Sequence, residues 1–350
     1  MQTTYTAPQD GGERAAFFPV RTGLGDTSDE QAALGAPAAR VVASAPGWTG
    51  RCLVADLRFC AYQYQHLPLD ILRRRCQEAE RLGFDVLWNC DTVVEPDRVR
   101  HTMFDGPTTL ALMAEWTSSI RVGTLVTSLY FRQPVTLTKA AMTIDHLSGG
   151  RLELALGVGD PSAGAKAAGV DWPRGERVAR FREFIELVDL LLRQEVTGYE
   201  GQFYRCEAAE TVPLPVQRPR PPVTVAAHGR KMLQIAAQHG DGWSSWGGYG
   251  VETERDFYTV TAERSHRFDD LCADAGRDPA RIRHSLVCFP PLTPWRSAEY
   301  FTDMIGRFAE IGIDEFVLYW PQSWRADPHE DMVFEEVTAS VIPQLRAAAL

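Results

Sequence analysis

Residues 120–160, IRVGTLVTSLYFRQPVTLTKAAMTIDHLSGGRLELALGVGD, decide the fold class of this chain. The stretch begins with an alternating, β-branched run, which predicts a strand. A helical pattern then opens after Pro134 and stops at Gly149-Gly150, where a second strand begins. Two strands joined through a helix form a βαβ unit, so the sequence predicts a parallel α/β sheet.

The second strand of this unit has two unlike faces. Leu152, Leu154, Leu156 and Val158 alternate with Glu153, Ala155, Gly157 and Gly159. Large side chains in a parallel sheet face the covering helices. We therefore expect the glycine face to point inward and to let a flat ligand approach the backbone.

The same phrase of helix, glycine and strand recurs along the chain, as AERLGFDVLWN (79–89) and RFAEIGIDEFVLYW (307–320). Such repeats are typical of successive units in a parallel α/β fold. The predicted strands lie near 58–63, 84–90, 120–127, 151–158, 222–227, 241–246, 284–289 and 315–320, and the predicted helices near 69–82, 106–117, 134–147, 176–193, 230–239, 252–275, 298–311 and 331–347. This alternation predicts a (β/α)₈ TIM barrel, although a doubly wound open sheet gives the same local pattern.

Two segments do not fit the repeat. Residues 160–221 hold one helix and a polar, proline-rich excursion, which we interpret as an insertion after strand 4. Residues 1–52 are rich in small and polar residues without periodicity, which predicts a loosely ordered extension ahead of one barrel domain at 53–350.

Composition excludes several classes of protein. The formal net charge of −10 disfavours nucleic acid and anionic membrane as partners. Seven scattered cysteines, without paired spacing, predict reduced thiols in a cytoplasmic protein and neither disulfides nor a metal site.

The chemistry of a TIM barrel lies at the carboxyl ends of its strands. There VTVAAHGRKML (223–233) runs from a strand through small residues into a helix that starts with Arg230 and Lys231. Backbone amides and cations at a helix start favour an anion, which makes this turn a candidate phosphate cradle. The alternative is a tight turn with a solvated basic pair.

Two residues are candidates for proton transfer. Asp91 follows the second strand, where it either relays protons or caps the loop. His101 lies on the long segment after it and is either catalytic or simply solvated.

Three motifs carry a resemblance to a known family: TIDHLSGGRLELALGVG (143–159), SSIRVGTLVT (118–127) and VAAHGRKMLQIAAQHGDGW (225–243). They resemble the bacterial-luciferase-like family of flavin-dependent oxidoreductases. The resemblance implies a TIM barrel, usually dimeric, with FMN or the deazaflavin coenzyme F420 across the strand ends.

By position, the resemblance also implies roles for particular residues. Leu125, Val126 and Thr127 match a bulged, often cis, peptide behind the cofactor ring, and Gly157 and Gly159 match a cofactor loop. The implied phosphate turn is Ala227, His228, Gly229 and Arg230. The chain departs from the family at Asp91-Thr92, where the family often has Asp-His, and at the turn itself, which is often Gly-Gly-Ser-Gly.

Three functions remain open. The first is a monooxygenase that uses O₂ and reduced FMN from a separate reductase to oxygenate an organic substrate. The second is an F420-dependent oxidoreductase that transfers a hydride, and the third is a non-catalytic flavin-binding barrel. A small, largely apolar or aromatic substrate is expected from the predicted pocket residues, which are Gln63, Met103, Phe104, Tyr130, Trp246, Tyr249, Phe289 and Trp320.

The helices predicted at 106–117 and 134–147 carry more apolar side chains than one buried face of each needs. This surplus predicts that they form the interface of a homodimer.

Overall fold

A computed structural model of the chain describes residues 57–92, 103–321 and 328–348. The strands are β1 Arg58–Tyr62, β2 Val86–Asn89, β3 Arg121–Ser128, β4 Leu152–Gly157, β5 Val196–Glu200, β6 Arg205–Glu210, β7 Val223–Ala226, β8 Gly242–Ser245, β9 Arg283–Val287 and β10 Glu315–Tyr319. The helices are α1 Leu69–Arg81, α2 Gly106–Trp116, α3 Pro134–Leu147, α4 Ala163–Ala167, α5 Arg174–Arg193, α6 Arg230–His239, α7 Glu254–Asp274, α8 Ala298–Glu310, α9 Pro328–Glu336 and α10 Ile342–Ala348. A 3₁₀ turn at Pro279–Arg281 precedes β9, and a π-helical turn at Val337–Val341 joins α9 to α10.

Eight of these strands form a closed parallel barrel in the order β1-β10-β9-β8-β7-β4-β3-β2. Closure occurs where β1 pairs with both β2 and β10. The predicted TIM barrel is therefore confirmed, and the open doubly wound sheet is excluded.

The insertion after β4 has more structure than we expected. It contains the short helix α4, the long helix α5 and an antiparallel hairpin of β5 and β6. The hairpin was not predicted because its two strands are short and largely exposed, so their period-2 pattern is weak.

Alternation along the strands separates the barrel interior from the layer beneath the helices. On β4, Leu152, Leu154 and Leu156 pack outward in the main hydrophobic core, whereas Ala155 belongs to a second, interior cluster. This is the two-faced arrangement that the sequence predicted.

Most of the apolar side chains assigned to a dimer interface are used within the subunit. Leu110, Met113, Leu137 and Ile144 are among those buried in the main core. Leu112, Trp116 and Val135 remain partly exposed. The homodimer stays a prediction, which light scattering can test.

Residues 1–56 lie outside the described residues, so the loosely ordered extension also stays a prediction. Within the described part of the chain, every helix is too short or too polar to cross a membrane.

Candidate active site

The wall of the candidate site is a bulge on β3. Thr124 pairs with Leu154 and Thr127 pairs with Leu156, so three positions on β3 advance against two on β4. The Leu125–Val126 peptide within this bulge is cis, at the position where the resemblance implied one. The carbonyl oxygen of Leu125 accepts a hydrogen bond of 3.1 Å from the Tyr62 hydroxyl.

Two glycines let the end of β4 pack closely against side chains of β3. A Cβ added at Gly157 would stand 2.7 Å from Cγ2 of Val126. Gly159 has a φ of +85°, and a Cβ there would collide with the Ser128 hydroxyl. The two glycines are therefore needed for the close packing of β3 on β4, in which Val126 covers Gly157 and Ser128 covers Gly159.

The predicted phosphate turn lies between β7 and α6. Ala227 is buried, and its backbone amide donates to the Ser244 carbonyl oxygen. Gly229 is the N-cap of α6 and has no side chain, so the described structure shows no side-chain cap at this helix start. The first amides of α6 are thus available to an anion.

A cation from the insertion stands beside this turn. A guanidinium nitrogen of Arg174, at the start of α5, would lie 3.2 Å from a Cβ built on Gly229. Arg230 is exposed on the other side of the turn. Gly229 has a φ of −88°, which any residue adopts, so its role here is open space and not backbone freedom.

His228 is neutral at physiological pH. Burial and the nearby Arg264 guanidinium lower its pKa to about 4. Its Nε2 lies 3.4 Å from the backbone nitrogen of Trp246, which donates to it. Its ring also meets Trp246 edge-on at 5.5 Å, so His228 supports the loop after β8.

Asp91 is held in a buried ion pair. Its carboxylate binds the Arg132 guanidinium through Nε at 2.9 Å and through a second, shorter contact, and it accepts from the Ser128 amide at 3.0 Å. Arg132 also reaches Asp105, the N-cap of α2, at 2.6 Å. This bonding supports a structural role for Asp91 more than proton transfer.

The mouth of the barrel is aromatic. Met103, Trp246 and Phe289 pack on an interior cluster that includes Leu125 and Cys90, as does Val126. Tyr62, Tyr64 and Tyr319 complete it, with ring centroids 5.0–5.8 Å apart.

Other predicted pocket residues lie apart from this cluster. Tyr130 stacks on Trp172 of the insertion at 5.5 Å, and Tyr249 is 65% exposed at the rim beside Trp246. Trp320 points outward, where it packs on Phe334 of α9 at 4.9 Å and below the Arg75 guanidinium. Its neighbour Tyr319 occupies the interior position instead.

Two further predicted residues border the mouth, and one cannot be placed. Gln63 is buried, and its amide nitrogen donates to the Tyr64 carbonyl oxygen at 2.7 Å. Phe104 is bound through its backbone amide to the Gln65 carbonyl oxygen. His101 lies outside the described residues.

A second cavity, of about 580 Å³, opens at the amino ends of the strands. It is lined by charged residues, among them Arg58, Arg121, Glu153 and Asp85. Arg58 and Arg121 both bind Glu153, and Asp85 binds Arg346. This end of a TIM barrel serves stability, so we place the chemistry at the carboxyl end.

Comparison with known proteins agrees with this geometry. The sequence model of the luciferase-like monooxygenase family matches residues 54–294, which is more than half of the chain. The chain belongs to the luciferase-like monooxygenase family.

Two of the relatives with similar sequences are named as F420-dependent dehydrogenases. The F420-dependent hydroxymycolic acid dehydrogenase of Mycobacterium tuberculosis (strain ATCC 25618 / H37Rv) is 29% identical over 255 residues, or 72% of this chain and 67% of the relative. The F420-dependent glucose-6-phosphate dehydrogenase of Segniliparus rotundus is 35% identical over 226 residues, or 62% and 64%.

A solved F420-dependent secondary alcohol dehydrogenase, in complex with an F420-acetone adduct, has a TM-score of 0.68. It is 17% identical, and the match covers 81% of this chain and 98% of that one, which shows the shared fold. Relatives and family together support an oxidoreductase with a flavin or deazaflavin cofactor.

Proposed function

We propose that this protein is an F420-dependent oxidoreductase that moves a hydride between the deazaflavin and a small, uncharged, largely apolar organic substrate. The observation that carries the proposal is the bulge on β3, packed closely against Gly157 and Gly159 at the carboxyl end of β4. This wall lies beside the anion-accepting turn at Gly229 and faces the aromatic mouth. A flat ring with an anionic tail fits such a surface.

The bound cofactor supplies the hydride chemistry, and the chain supplies the binding and the dry surroundings. The bulge, packed on the two glycines, lies against one face of the ring. The amides at the start of α6, with Arg174 and Arg230, hold the anionic end. The aromatic mouth excludes water from the reacting centre.

The choice of F420 over FMN rests on the relatives, several of which are named as F420-dependent enzymes. Two cations from separate elements, Arg174 and Arg230, also suit a tail with more negative charge than one phosphate. FMN ends at its phosphate, whereas F420 continues into a chain of carboxylates.

A monooxygenase that uses reduced FMN from a separate reductase is the second candidate. The description of the family favours it, and an aromatic mouth suits the protection of an oxygenated flavin. The fold is common to both candidates, so only the cofactor separates them.

Titration of the purified protein with F420, FMN and anaerobic FMNH₂ tests the proposal, with binding followed by cofactor absorbance and fluorescence. We expect F420 to bind at least tenfold more tightly than either form of FMN. Tighter binding of FMNH₂ would reverse the order of the two candidates. If none of the three binds, the whole assignment is wrong.

A further inference from the structure

Two described side chains at the barrel mouth have a buried polar atom without a hydrogen-bond partner, Gln63 through Oε1 and Tyr319 through its hydroxyl. The Tyr319 oxygen is shielded from solvent and has no partner with hydrogen-bond geometry among the described residues. Buried polar groups are normally paired, and an unpaired one calls for an explanation such as a missing ligand.

The ring of Tyr319 is fixed in place. Its centroid lies 4.8 Å from that of Phe289 and 5.0 Å from that of Tyr62. Its backbone carbonyl oxygen accepts a hydrogen bond of 2.8 Å from the Trp295 indole. The hydroxyl therefore cannot turn away to find a partner without breaking the aromatic packing.

This hydroxyl keeps its proton. Burial, followed by the neighbouring phenols of Tyr64 and Tyr62, raises the pKa of Tyr319 well above 10. The group is a hydrogen-bond donor throughout the physiological pH range. It stands at the carboxyl end of β10, inside the barrel, next to the cluster that surrounds the β3 bulge.

Tyr62 provides an internal contrast. It lies beside Tyr319 in the paired strands β1 and β10, and it has the same side chain. Its hydroxyl, however, donates to the Leu125 carbonyl oxygen at 3.1 Å. One phenol of the pair is thus committed to a backbone carbonyl, and the other has the phenol of Tyr64 near it, without hydrogen-bond geometry.

We propose that the Tyr319 hydroxyl is a specificity-determining donor that binds an uncharged oxygen, a carbonyl or hydroxyl, on the substrate. The substrate class is then a ketone, aldehyde or alcohol with an apolar or aromatic body. This inference rests on the proposed function, because it places the substrate at the same mouth.

The expected effect follows from the strength of one neutral hydrogen bond. Such a bond contributes about 0.5–1.5 kcal/mol, which corresponds to roughly three- to tenfold in a dissociation constant. A substrate that has the oxygen should bind more tightly by that factor than the same molecule without it.

The test uses two fluorinated probes, 4-fluoroacetophenone and 1-ethyl-4-fluorobenzene, which differ only in the carbonyl group. Binding to the full-length protein is measured by ¹⁹F NMR titration, with and without F420. We expect the parent to prefer the ketone roughly three- to tenfold. Tyr319→Phe should abolish the preference, and Tyr62→Phe should retain it.

Thermal unfolding separates binding from structure. Tyr319→Phe removes no hydrogen bond within the protein and should keep or raise the Tm. Tyr62→Phe removes a satisfied bond and should lower it. A lower Tm for Tyr319→Phe would show that its hydroxyl is bonded within the protein.

The other possible results separate a failure of this inference from a failure of the proposed function. If the parent shows no preference for the ketone, or if Tyr319→Phe keeps it, the inference is wrong. If Tyr319→Phe weakens F420 instead, the hydroxyl serves the cofactor and not the substrate. If F420 does not bind but the preference is present and depends on Tyr319, the proposed function fails and this inference stands.

Discussion

The two ends of the barrel interior differ in the polar groups that they bury. At the amino end, Arg58 binds Glu153 at 2.6 Å and Glu315 at 3.1 Å, and Arg121 binds Glu153 at 2.6 Å. At the carboxyl end aromatic and aliphatic side chains cluster in the interior, the Asp91–Arg132 ion pair lies beside them, and the Tyr319 hydroxyl has no partner with hydrogen-bond geometry in the described part of the chain. The same strands supply both ends.

The difference is one of charge: the amino end holds arginines and glutamates together inside the barrel, whereas the carboxyl end surrounds a neutral hydroxyl with aromatic rings. A buried charge without a partner costs several kcal/mol, so the amino end must pair its charges within the chain. An unpaired neutral hydroxyl costs less, about 1–3 kcal/mol. A binding site can carry that cost until the ligand arrives.

The largest effect is expected from Arg58→Met. Removal of this guanidinium leaves Glu153 with only Arg121 and leaves Glu315 without its cation inside the barrel. We expect a loss of about 3–5 kcal/mol in the free energy of unfolding, measured with urea. Arg74→Met is the matched control, because Arg74 pairs with Asp70 on the exposed face of α1 and should change stability little. Equal stabilities for the two variants would remove the contrast between the ends.

At the carboxyl end, Gly157→Ala should weaken the binding of F420. The added methyl would stand 2.7 Å from Cγ2 of Val126 and would push the bulge towards the cofactor. Overpacking of this size typically costs about 1–3 kcal/mol of folding stability, and because Val126 lies at the proposed cofactor wall, we expect F420 to bind more weakly as well. Gly175→Ala, at a position with open space, serves as the control and should bind F420 like the parent. Normal affinity in Gly157→Ala would place the ring elsewhere.

A moderate effect is expected from the cations beside α6. Arg230→Ala and Arg174→Ala each remove one charge but leave the helix amides in place. A charge-assisted contact is worth about 1.5–3 kcal/mol, so a direct contact should cost roughly ten- to a hundredfold in F420 affinity. FMN affinity should change less in Arg174→Ala if that residue meets the tail beyond the phosphate. Isothermal titration of both cofactors decides this, and unchanged F420 affinity in both variants contradicts the placement of the anion.

The smallest effect is expected in the pH dependence of stability, through the carboxylates at the amino end of the barrel. Burial, opposed by Arg58 and reinforced by Glu153, raises the pKa of Glu315 above its ordinary 4.5. The folded state therefore holds this proton more tightly, and stability falls as pH rises from 4.5 through the folded value. Glu315→Gln should remove this pH-dependent loss of stability. The free energy of unfolding of the variant, relative to that of the parent, should therefore increase as the pH rises from 4.5 through the folded pKa of Glu315.

Glu80→Gln is the control of opposite sign. Burial acts to raise the pKa of Glu80, but hydrogen bonds from the amides of Ser119, Ile120 and Ser118 outweigh it and lower the pKa to about 2. The stability that the Glu80 carboxylate contributes is present above pH 4.5 and disappears as the pH falls towards 2. Urea unfolding across pH 3–7 compares the two slopes, and slopes of the same sign would contradict this assignment.

The fold was predictable because each βα unit repeats a local pattern. The glycine after a helix, the buried strand and its alternation are all visible within about 15 residues. Alternation also contained the information that Tyr319 faces inward, since Phe316 and Leu318 lie outward on β10. The prediction chose Trp320 instead because the end of the strand was set one residue too far, and a slip of one residue changes the face.

The site was less predictable because its contacts join distant parts of the chain. Arg132 is 41 positions from Asp91, and Arg174 is 55 positions from Gly229. Nothing local marks either arginine among the many basic residues of the chain. Asp91 was correctly placed at a strand end, but its bonding to Arg132 required the assembled barrel.

The guanidinium of Arg132 joins two carboxylates that lie 14 positions apart, Asp91 at the end of β2 and Asp105 at the start of α2. Both boundaries of the intervening segment are therefore fastened to the barrel by one residue that belongs to neither. Such an arrangement fixes the two ends of the loop independently of the sequence between them. A segment of different length or sequence could be exchanged between the two aspartates, by evolution or by design, while the ends of β2, β3 and α2 keep their positions.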